Sequence, residues 1–450
     1  MKSGLAVSPT PLARILGLGF GVAVIFGGTV GVGILRLPGT IAGQLPSFWP
    51  IMLVWFAGGC YALLGAISVA ELGAAMPQAG GFYVYAKRAF GAGVGFAVGW
   101  ADWLNNCAVV AIAAVAAAEY VIALVPQIAL RQTSLALAVL FLFSALHWIG
   151  LRLSSGIQKL TSSVTAITFL LLAVACLLHP AQSNTPSLPD RVALGSGLLH
   201  MLAPIVAALR AIVVTYDGWY EAIYFAEEDT DAAKHLPRAM IGGVLLVMGL
   251  YLLMNLAFLH VLSIPALAAS RLPAADAARI VFPAWSGRFI TVLSLLTLLS
   301  LINAVLLGAP RILFAIGRDG LFSGRAAQVS TGGTPRAALL LSTATAAIFI
   351  ASGKLEDIIA VAAVLIATLY CVNYIAVLVL RRREPEMARP FRAWGYPVTT
   401  VLVLLCSLIF LIAAVHDDLV SALRAAVLLA VAAPAYAWIR WRLGAPGRSS

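Results

Sequence analysis

The stretch Gly27-Gly28-Thr29-Val30-Gly31-Val32-Gly33 interrupts the first long apolar run of this 450-residue sequence. Four of its seven residues are glycine, and each glycine inside a helix costs about 1 kcal/mol relative to alanine. We therefore predict that a helix begins before this stretch, unwinds within it and restarts after it. The alternative is that the small residues allow two intact helices to pack closely.

The composition around this stretch requires lipid as the solvent. Hydrophobic residues make up 62% of the chain and charged residues 10%, against about 45–50% and about 25% in soluble domains. We predict an all-α integral membrane protein. In such a protein, unwound backbone is tolerated only beside a protein cavity or a water-filled site.

Apolar runs of about 20 residues, the length that crosses a bilayer core, predict about twelve spans. They lie near 15–42, 50–76, 92–125, 134–151, 157–178, 199–226, 239–262, 288–316, 337–353, 357–380, 398–416 and 421–440. We predict a single membrane domain, 1–450, with a first five-helix repeat over 15–178, a second over 199–380 and two additional helices over 398–440. The connections are too short for a soluble domain, so function is expected in the helix bundle.

The net charge of +11 comes from Lys and Arg residues in the connections between spans. This distribution indicates membrane topology and not a nucleic-acid-binding surface. If the N-terminus is cytoplasmic, the inner connections hold 20 of the 29 Lys and Arg residues, the outer ones hold 7, and Arg36 and Arg210 lie within spans. An excess of Lys and Arg in cytoplasmic loops is typical of membrane proteins. We expect both termini in the cytoplasm, the plasma (inner) membrane as the location and no nucleic acid as a partner.

A second interruption, Tyr216-Asp217-Gly218-Trp219-Tyr220-Glu221, lies in the predicted sixth span. It places two carboxylates and a glycine deep in the membrane, where ionisable residues usually face a cavity, a partner or a pathway. Five spans separate the starts of the two interrupted helices, so the second copy of a five-helix repeat enters from the opposite side. Paired interruptions in inverted repeats indicate the binding site of a transporter.

Four segments resemble signatures of the amino acid/polyamine/organocation superfamily of transporters. They are Gly31-Val32-Gly33-Ile34-Leu35 with Pro38; residues 77–85 (PQAGGFYVY) continuing to residues 95–100 (GFAVGW); Tyr216-Asp217-Gly218-Trp219 with Glu227-Glu228 and residues 236–239 (LPRA); and residues 317–322 (GRDGLF) with residues 333–335 (GTP). The third is similar to the amino acid exchanger branch. The resemblance implies a leucine-transporter-type fold with 5+5 inverted repeats, in which helices 1 and 6 are broken.

The resemblance also implies how the substrate is held. Backbone N–H groups of Gly31, Val32 and Gly33 would receive a carboxylate, and carbonyls near Thr29 and Val214 would accept from an ammonium group. Elementary electrostatics agrees, because the N-terminus of a half-helix favours an anion and unwound carbonyls favour a cation. Tyr216, Asp217 and Gly218 would border the side-chain pocket.

Further residues are candidates for gating or coupling. Where many relatives carry a lysine in helix five, this sequence has Thr165, which argues against a lysine-based proton mechanism and leaves sodium open. Arg36 stands where relatives often carry an aromatic or aliphatic residue. The full set of candidates is Arg36, Asp102, Trp103, Thr165, Arg210, Trp219 and Glu221.

The alternatives for these residues stay open at the level of sequence. For Arg36 and Arg210 there are three alternatives: structural pairs with Asp102, Asp217 or Glu221, a role as outer-gate residues, and recognition of an anionic substrate side chain. For Asp217 and Glu221 the alternatives are that they favour a cationic substrate and that they take a coupling proton. Trp103 and Trp219 are expected near the bundle centre.

The sequence as a whole predicts secondary transport of an amino acid by alternating access. A neutral L-amino acid is favoured, carried by exchange or by proton-coupled symport; the alternatives are a cationic amino acid or polyamine carrier and a non-transporting amino acid receptor. The five cysteines and six histidines show no metal-ligand spacing, so neither a metal nor another cofactor is expected. The chain shows no catalytic dyad, which argues against an enzyme, and the sequence leaves open whether an accessory subunit is bound.

Overall fold

The computed structural model describes residues 12–45, 47–128, 130–181, 198–282, 286–352 and 355–442. Every regular element in this part of the chain is a helix. The α-helices are α1 Leu18–Thr29, α2 Val32–Gln44, α3 Phe48–Ala75, α4 Phe82–Phe90, α5 Ala92–Leu124, α6 Gln132–Ile149, α7 Leu151–Leu178, α8 Leu198–Thr215, α9 Ala232–Val261, α10 Ile264–Ala269, α11 Pro273–Val281, α12 Ser286–Arg318, α13 Arg336–Ser352, α14 Leu355–Arg383, α15 Val398–Asp417, α16 Leu419–Ala430 and α17 Ala432–Arg442. Two 3-10 helices cover Glu221–Glu228 and Gly324–Ala327.

The prediction of an all-α membrane protein is confirmed. Within the described ranges, nine helices are long and apolar enough to cross a membrane, and the pair α1 and α2 raises the number to ten. Two shorter apolar helices, Pro204–Thr215 and Arg336–Ser352, occupy positions where the sequence predicts further spans. Twelve full-length spans and the division into inverted repeats therefore stay predictions, and most of the connection near 179–198 lies outside the described residues.

The chain leaves α-helical geometry at both predicted interruptions. Between α1 and α2, Val30 is extended (φ −77°, ψ 106°), and the two helix axes meet at 44°. In the sixth segment α8 ends at Thr215, residues 216–220 form turns, and a 3-10 helix follows. The glycine-rich composition of the first stretch is the reason that its helix ends there.

The bundle packs around two long helices, α5 and α12, which lie against each other, and α12 also lies against α1 and the 3-10 helix Glu221–Glu228. Buried aromatic side chains fill the centre, among them Trp55, Trp219 and Tyr251. Along α7 and α15, by contrast, large apolar side chains are exposed, and Leu171 and Ile412 are each more than half exposed. That exposure is what lipid-facing helices require.

Ion pairs and backbone contacts join the elements at one end of the bundle, which we call the N-terminal face. Leu16 pairs with the chain at Asp229 as an isolated bridge, and Asp319 accepts from Tyr83 Oη at 2.6 Å and from Lys87 Nζ at 2.7 Å. Burial, followed by the Asp319 hydrogen bond, raises the pKa of Tyr83 above its ordinary value. This face thus holds the start of α1, α4 and the end of α12 together.

Candidate functional site

The two interruptions meet at the level of the backbone. Gly218 has φ +106°, and a Cβ atom added there would lie 2.5 Å from the carbonyl oxygen of Gly28 and 2.9 Å from the amide nitrogen of Thr29. A side chain at residue 218 would therefore be strained and would collide with the first break. Glycine in the second interruption allows the first one to approach.

The N-terminus of α2 presents backbone amides without a side-chain cap. Gly31 occupies the N-cap position and makes no side-chain capping hydrogen bond, and the first amides of a helix lack carbonyl partners within it. The space around these glycines is filled from neighbouring helices. A Cβ at Gly31 would lie 2.7 Å from Leu301 Cδ2, and one at Gly33 would overlap the side chain of Thr215.

The carbonyls at the two breaks are joined by a residue that the sequence did not indicate. Tyr251 of α9 donates from its hydroxyl to the Thr29 carbonyl at 3.0 Å and to the Thr215 carbonyl at 3.3 Å. The Val214 carbonyl accepts from the Asp217 amide at 3.3 Å. The predicted ammonium acceptors at Thr29 and Val214 are thus both engaged within the protein in this conformation.

Aromatic side chains surround the second interruption. Tyr216 donates to the Trp55 carbonyl at 3.1 Å, and the rings of Trp219 and Tyr370 lie 5.4 Å apart at an angle of 34°. The Tyr370 hydroxyl also donates to Asp217. Trp219 lies near the bundle centre, as predicted, and Tyr370 of α14 is a further residue that sequence reasoning missed.

Comparison with known proteins identifies the family. The family model for amino acid permeases matches residues 21–430, which include both interruptions. The chain belongs to the amino acid permease family. It is therefore a multi-pass membrane transporter and not an enzyme, which confirms the resemblance that the sequence motifs indicated.

Named relatives of this permease are amino acid transporters. The chain is 26% identical over 415 residues to the b(0,+)-type amino acid transporter 1 of Homo sapiens, with 90% of this chain and 83% of that protein covered. It is 26% identical over 412 residues to the serine/threonine exchanger SteT of Bacillus subtilis, covering 87% and 89%. The Asc-type amino acid transporter 1 of Homo sapiens is 26% identical over 390 residues, covering 85% and 74%.

The two intramembrane arginines of this permease have partners other than those expected. Arg36 pairs with Glu119 of α5, and Arg210 pairs with Asp417 at the end of α15. The expectation that they pair with Asp102, Asp217 or Glu221 is wrong. Both pairs are about one-third to one-half exposed. Glu119 and Asp417 lie near the ends of α5 and α15, two helices that begin close to α4 and the end of α14 on the N-terminal face, so both pairs lie toward the opposite face.

Asp102 and Glu221 lie in the buried interior instead. Asp102 is 0% exposed and Glu221 2%, and Glu221 packs on the first break, since a Cβ at Gly28 would lie 2.6 Å from its Cγ. Trp103 points to a different neighbour, because its Nε1 donates to Ser342 of α13 at 2.9 Å. Of the residues predicted for gating or coupling, the structure brings Trp219 and Glu221 to the breaks. Asp102 lies against the 3-10 helix that follows the second break, where Tyr224 donates to it at 2.7 Å.

A polar network ties α1 to α7 and α12 near the first break. The Ala23 carbonyl accepts from Gln158 Nε2 at 3.2 Å and from Ser162 Oγ at 2.8 Å, and Gln158 also donates to Ser300 at 3.1 Å. Thr165 is buried, and its hydroxyl has no hydrogen-bond partner in the part of the chain that the structure describes. Within the same residues no group of three or more His, Cys, Asp or Glu could hold a metal ion.

Proposed function

We propose that this permease carries a neutral L-amino acid by alternating access, with the substrate bound between the two interruptions. The observation that carries the proposal is the backbone contact between Gly218 and Gly28 beside the uncapped N-terminus of α2. This places anion-favouring amides and cation-favouring carbonyls within one small region. An amino acid zwitterion has the two charges that such a region suits.

The substrate carboxylate is assigned to the amides of Gly31, Val32 and Gly33. The substrate ammonium is assigned to the carbonyls of Thr29 and Val214. Because both carbonyls are engaged by Tyr251 and by the Asp217 amide, we infer that substrate entry displaces or shares these hydrogen bonds. Leu301 and Thr215 must also withdraw from Gly31 and Gly33, so the described conformation is assigned to a closed state.

The preference for a neutral substrate is supported by the name of the relative in Bacillus subtilis, a serine/threonine exchanger. Exchange and proton-coupled symport are the two modes that a first experiment separates. A cationic amino acid or polyamine is the second candidate, because Asp102, Asp217 and Glu221 bring three carboxylates close to the breaks. A receptor that binds an amino acid without moving it is the third.

Uptake of labelled amino acids into proteoliposomes tests these functions. The vesicles would contain unlabelled amino acid, or carry a pH gradient, or carry a sodium gradient. Saturable uptake of a serine-sized neutral amino acid in at least one condition supports the proposal. Preference for lysine or putrescine supports the second candidate, and binding to purified protein without uptake in any condition supports the receptor.

Ligand chemistry tests the assignment of the carboxylate. Displacement of a bound labelled amino acid would be measured with three competitors: the unlabelled amino acid, its carboxamide derivative and the corresponding amine without a carboxyl group. If the backbone N–H groups at the N-terminus of α2 hold the carboxylate, the carboxamide derivative and the amine should bind much more weakly than the amino acid, since both lack the anion. Equal displacement by the amine would contradict the assignment.

Substitution of Gly33 tests the same assignment from the protein side. Replacement by leucine is predicted to abolish binding, but the added side chain would also press on Thr215. The Cβ of Gly33→Ala already overlaps Thr215 at 2.4 Å, so this variant is compared with Gly99→Ala, whose Cβ would press on Ile316 Cδ1 at 2.8 Å away from the breaks. Loss of affinity in the first variant and not in the second supports the site, provided that both elute as folded protein.

The plasma membrane and cytoplasmic termini are proposed from the distribution of Lys and Arg. Single cysteines at Ser323 on the N-terminal face and at Gln127 near the end of α5, in a background without native cysteines, test the orientation. A membrane-impermeant thiol reagent added to intact cells should label Gln127→Cys alone. Labelling of Ser323→Cys alone would reverse the orientation.

A further inference from the structure

Asp102 of α5 and Glu221 of the 3-10 helix Glu221–Glu228 form a buried acidic pair beside the second interruption. Asp102 Oδ2 and Glu221 Oε2 have no hydrogen-bond partner among the residues that the structure describes. An ionised carboxylate is purely an acceptor. Each side chain thus keeps an oxygen to which no described group donates.

Asn106 supplies an independent indication that a donor belongs in this cluster. Its Nδ2 lies 3.2 Å from Asp102 Oδ1 and 3.3 Å from Tyr224 Oη, so the amide points into the cluster. Asn106 is 1% exposed, and its Oδ1 also lacks a partner within the described ranges. Three buried acceptor oxygens without a described partner therefore lie on α5 and the 3-10 helix.

One strong hydrogen bond holds the two elements together. The Tyr224 hydroxyl, three residues after Glu221, donates to Asp102 Oδ1 at 2.7 Å. A Cβ at Gly308 of α12 would lie 3.3 Å from Glu221 Oε2 and 2.9 Å from the Tyr224 ring. The cluster thus occupies the seam at which the broken sixth segment meets α5 and α12.

The charged and titratable groups of the surrounding elements do not neutralise the pair. The negative charges of Asp217 and Asp102 both act on Glu221, and α1 contains no ionisable residue. Arg311 of α12 pairs with Glu228, Lys87 of α4 pairs with Asp319, and Arg336 of α13 lies over the Trp148 ring. Tyr83 bonds to Asp319, Tyr370 of α14 to Asp217, His147 of α6 to Asn303, and Tyr251 of α9 to the Thr29 and Thr215 carbonyls. The hydroxyls of Tyr85 and Tyr374 have no partner among the described residues, but they carry no positive charge. Two buried carboxylates, Asp102 bound to Tyr224 and Glu221 packed beside Tyr224 at Gly308, therefore lie in one cluster without a cation.

A proton fits this cluster better than a larger cation. Uncompensated buried charge is strongly unfavourable, and a proton on one carboxyl group removes a charge and provides a donor for a neighbouring acceptor oxygen. A guanidinium group would need volume, whereas Glu221 packs directly on Gly28 and Gly308. In the described part of the chain, no group of three or more His, Cys, Asp or Glu side chains could hold a metal ion.

We propose that Asp102 and Glu221 form a proton-binding site whose occupancy is coupled to movement of the broken sixth segment against α5. When the seam is closed, the pair holds one proton. When the 3-10 helix moves away, Glu221 and Tyr224 together leave Asp102, and the proton is released. The inference rests on the proposed function, because coupling requires that this segment moves during amino acid transport. It names the proton as the co-transported species.

Proton movement into vesicles tests the site directly. Proteoliposomes loaded with a pH-sensitive dye would receive the amino acid identified by the uptake panel, without an imposed gradient. The wild type should show amino-acid-dependent acidification of the lumen and faster uptake under an inward proton gradient. Asp102→Asn and Glu221→Gln should each lose the acidification, whereas the control Glu386→Gln, an exposed carboxylate on the N-terminal face, should keep it.

Tyr224→Phe covers the case in which the two amide variants do not fold. It keeps both carboxylates and removes the hydroxyl that stabilises the ionised form of Asp102, so the midpoint of the uptake-versus-pH profile should move to higher pH. An unmoved midpoint, or acidification that persists in both amide variants, overturns the inference. Wild-type uptake without proton movement also overturns it while the proposed function stands, and an absence of all uptake overturns the proposed function itself.

Discussion

The two faces of the bundle close in different ways. On the N-terminal face, Arg311 and Glu228 form a bidentate pair whose side chains are 3% and 0% exposed. On the opposite face, Arg36 with Glu119 and Arg424 with Asp357 form pairs that are 35–48% exposed. Breaking a buried pair costs several times more than breaking an exposed one, so the described conformation is sealed more firmly at the N-terminal face.

This difference indicates which contacts contribute most to the stability of the closed state. A transporter that alternates must break the contacts of one face while it forms those of the other. If the firm seal lies at the N-terminal face, substitutions there should alter stability and transport most. Substitutions on the opposite face should change both only slightly.

The largest effect is expected from Glu228→Gln. The substitution leaves the Arg311 charge buried without its partner, which should lower the free energy of unfolding by about 3–5 kcal/mol. Thermal unfolding of the purified protein in detergent measures this. Replacing both residues by methionine should recover much of the loss, and a loss as small as that of an exposed pair would remove the contrast between the faces.

Glu71→Gln is expected to have the next largest effect. Glu71 is fully buried on the N-terminal face and accepts from Arg381 at 2.6 Å, with the Arg389 Nε 3.1 Å away. Loss of its charge should cost about 1.5–3 kcal/mol, measured by unfolding in detergent.

Glu384→Gln is the matched control for Glu71→Gln. Glu384 pairs with Arg88, which is 59% exposed, and its hydrogen bond raises the pKa of Arg88 above the ordinary value. Exposed pairs contribute less than about 1 kcal/mol. Equal losses in the two variants would show that burial does not distinguish these pairs.

Tyr251→Phe tests the centre of the molecule between the two faces. Loss of the hydroxyl that joins the Thr29 and Thr215 carbonyls should cost about 1 kcal/mol and weaken amino acid binding, because the two breaks are no longer held together. Unfolding and ligand affinity are both measured. Tyr61→Phe, which loses a 2.7 Å hydrogen bond to Ser407, should show a similar stability loss with unchanged affinity.

The smallest effect is expected from Arg36→Gln. Its pair with Glu119 is more than one-third exposed, and Gln132 Nε2 lies 3.0 Å from Glu119 as a remaining partner. The free energy of unfolding should fall by less than about 1 kcal/mol, and less still at high salt. A loss comparable to that of Glu228→Gln would mean that both faces are sealed equally.

Several residues near the breaks could not be found from the chain alone. Tyr251 and Tyr370 lie 35 and 154 residues from Tyr216, and an intramembrane tyrosine resembles any other packing residue until its hydroxyl has an identified acceptor. The partners of Arg36 and Arg210 were missed for the same reason. Glu119 lies within the predicted span 92–125 and Asp417 just after the span 398–416, and nothing local in either segment indicates which arginine it pairs with.

The sequence by itself determined that this protein lies in a membrane, that two segments interrupt its helices and that it resembles amino acid transporters. These properties depend on composition and on local backbone preference, which neighbouring residues encode directly. Only the tertiary structure decided that Gly218 meets Gly28, that Tyr251 joins two carbonyls and that Asp102 and Glu221 lie around Tyr224 without a cation. Such pairings depend on which helices pack together, and residues more than one hundred positions apart carry no local signal of it.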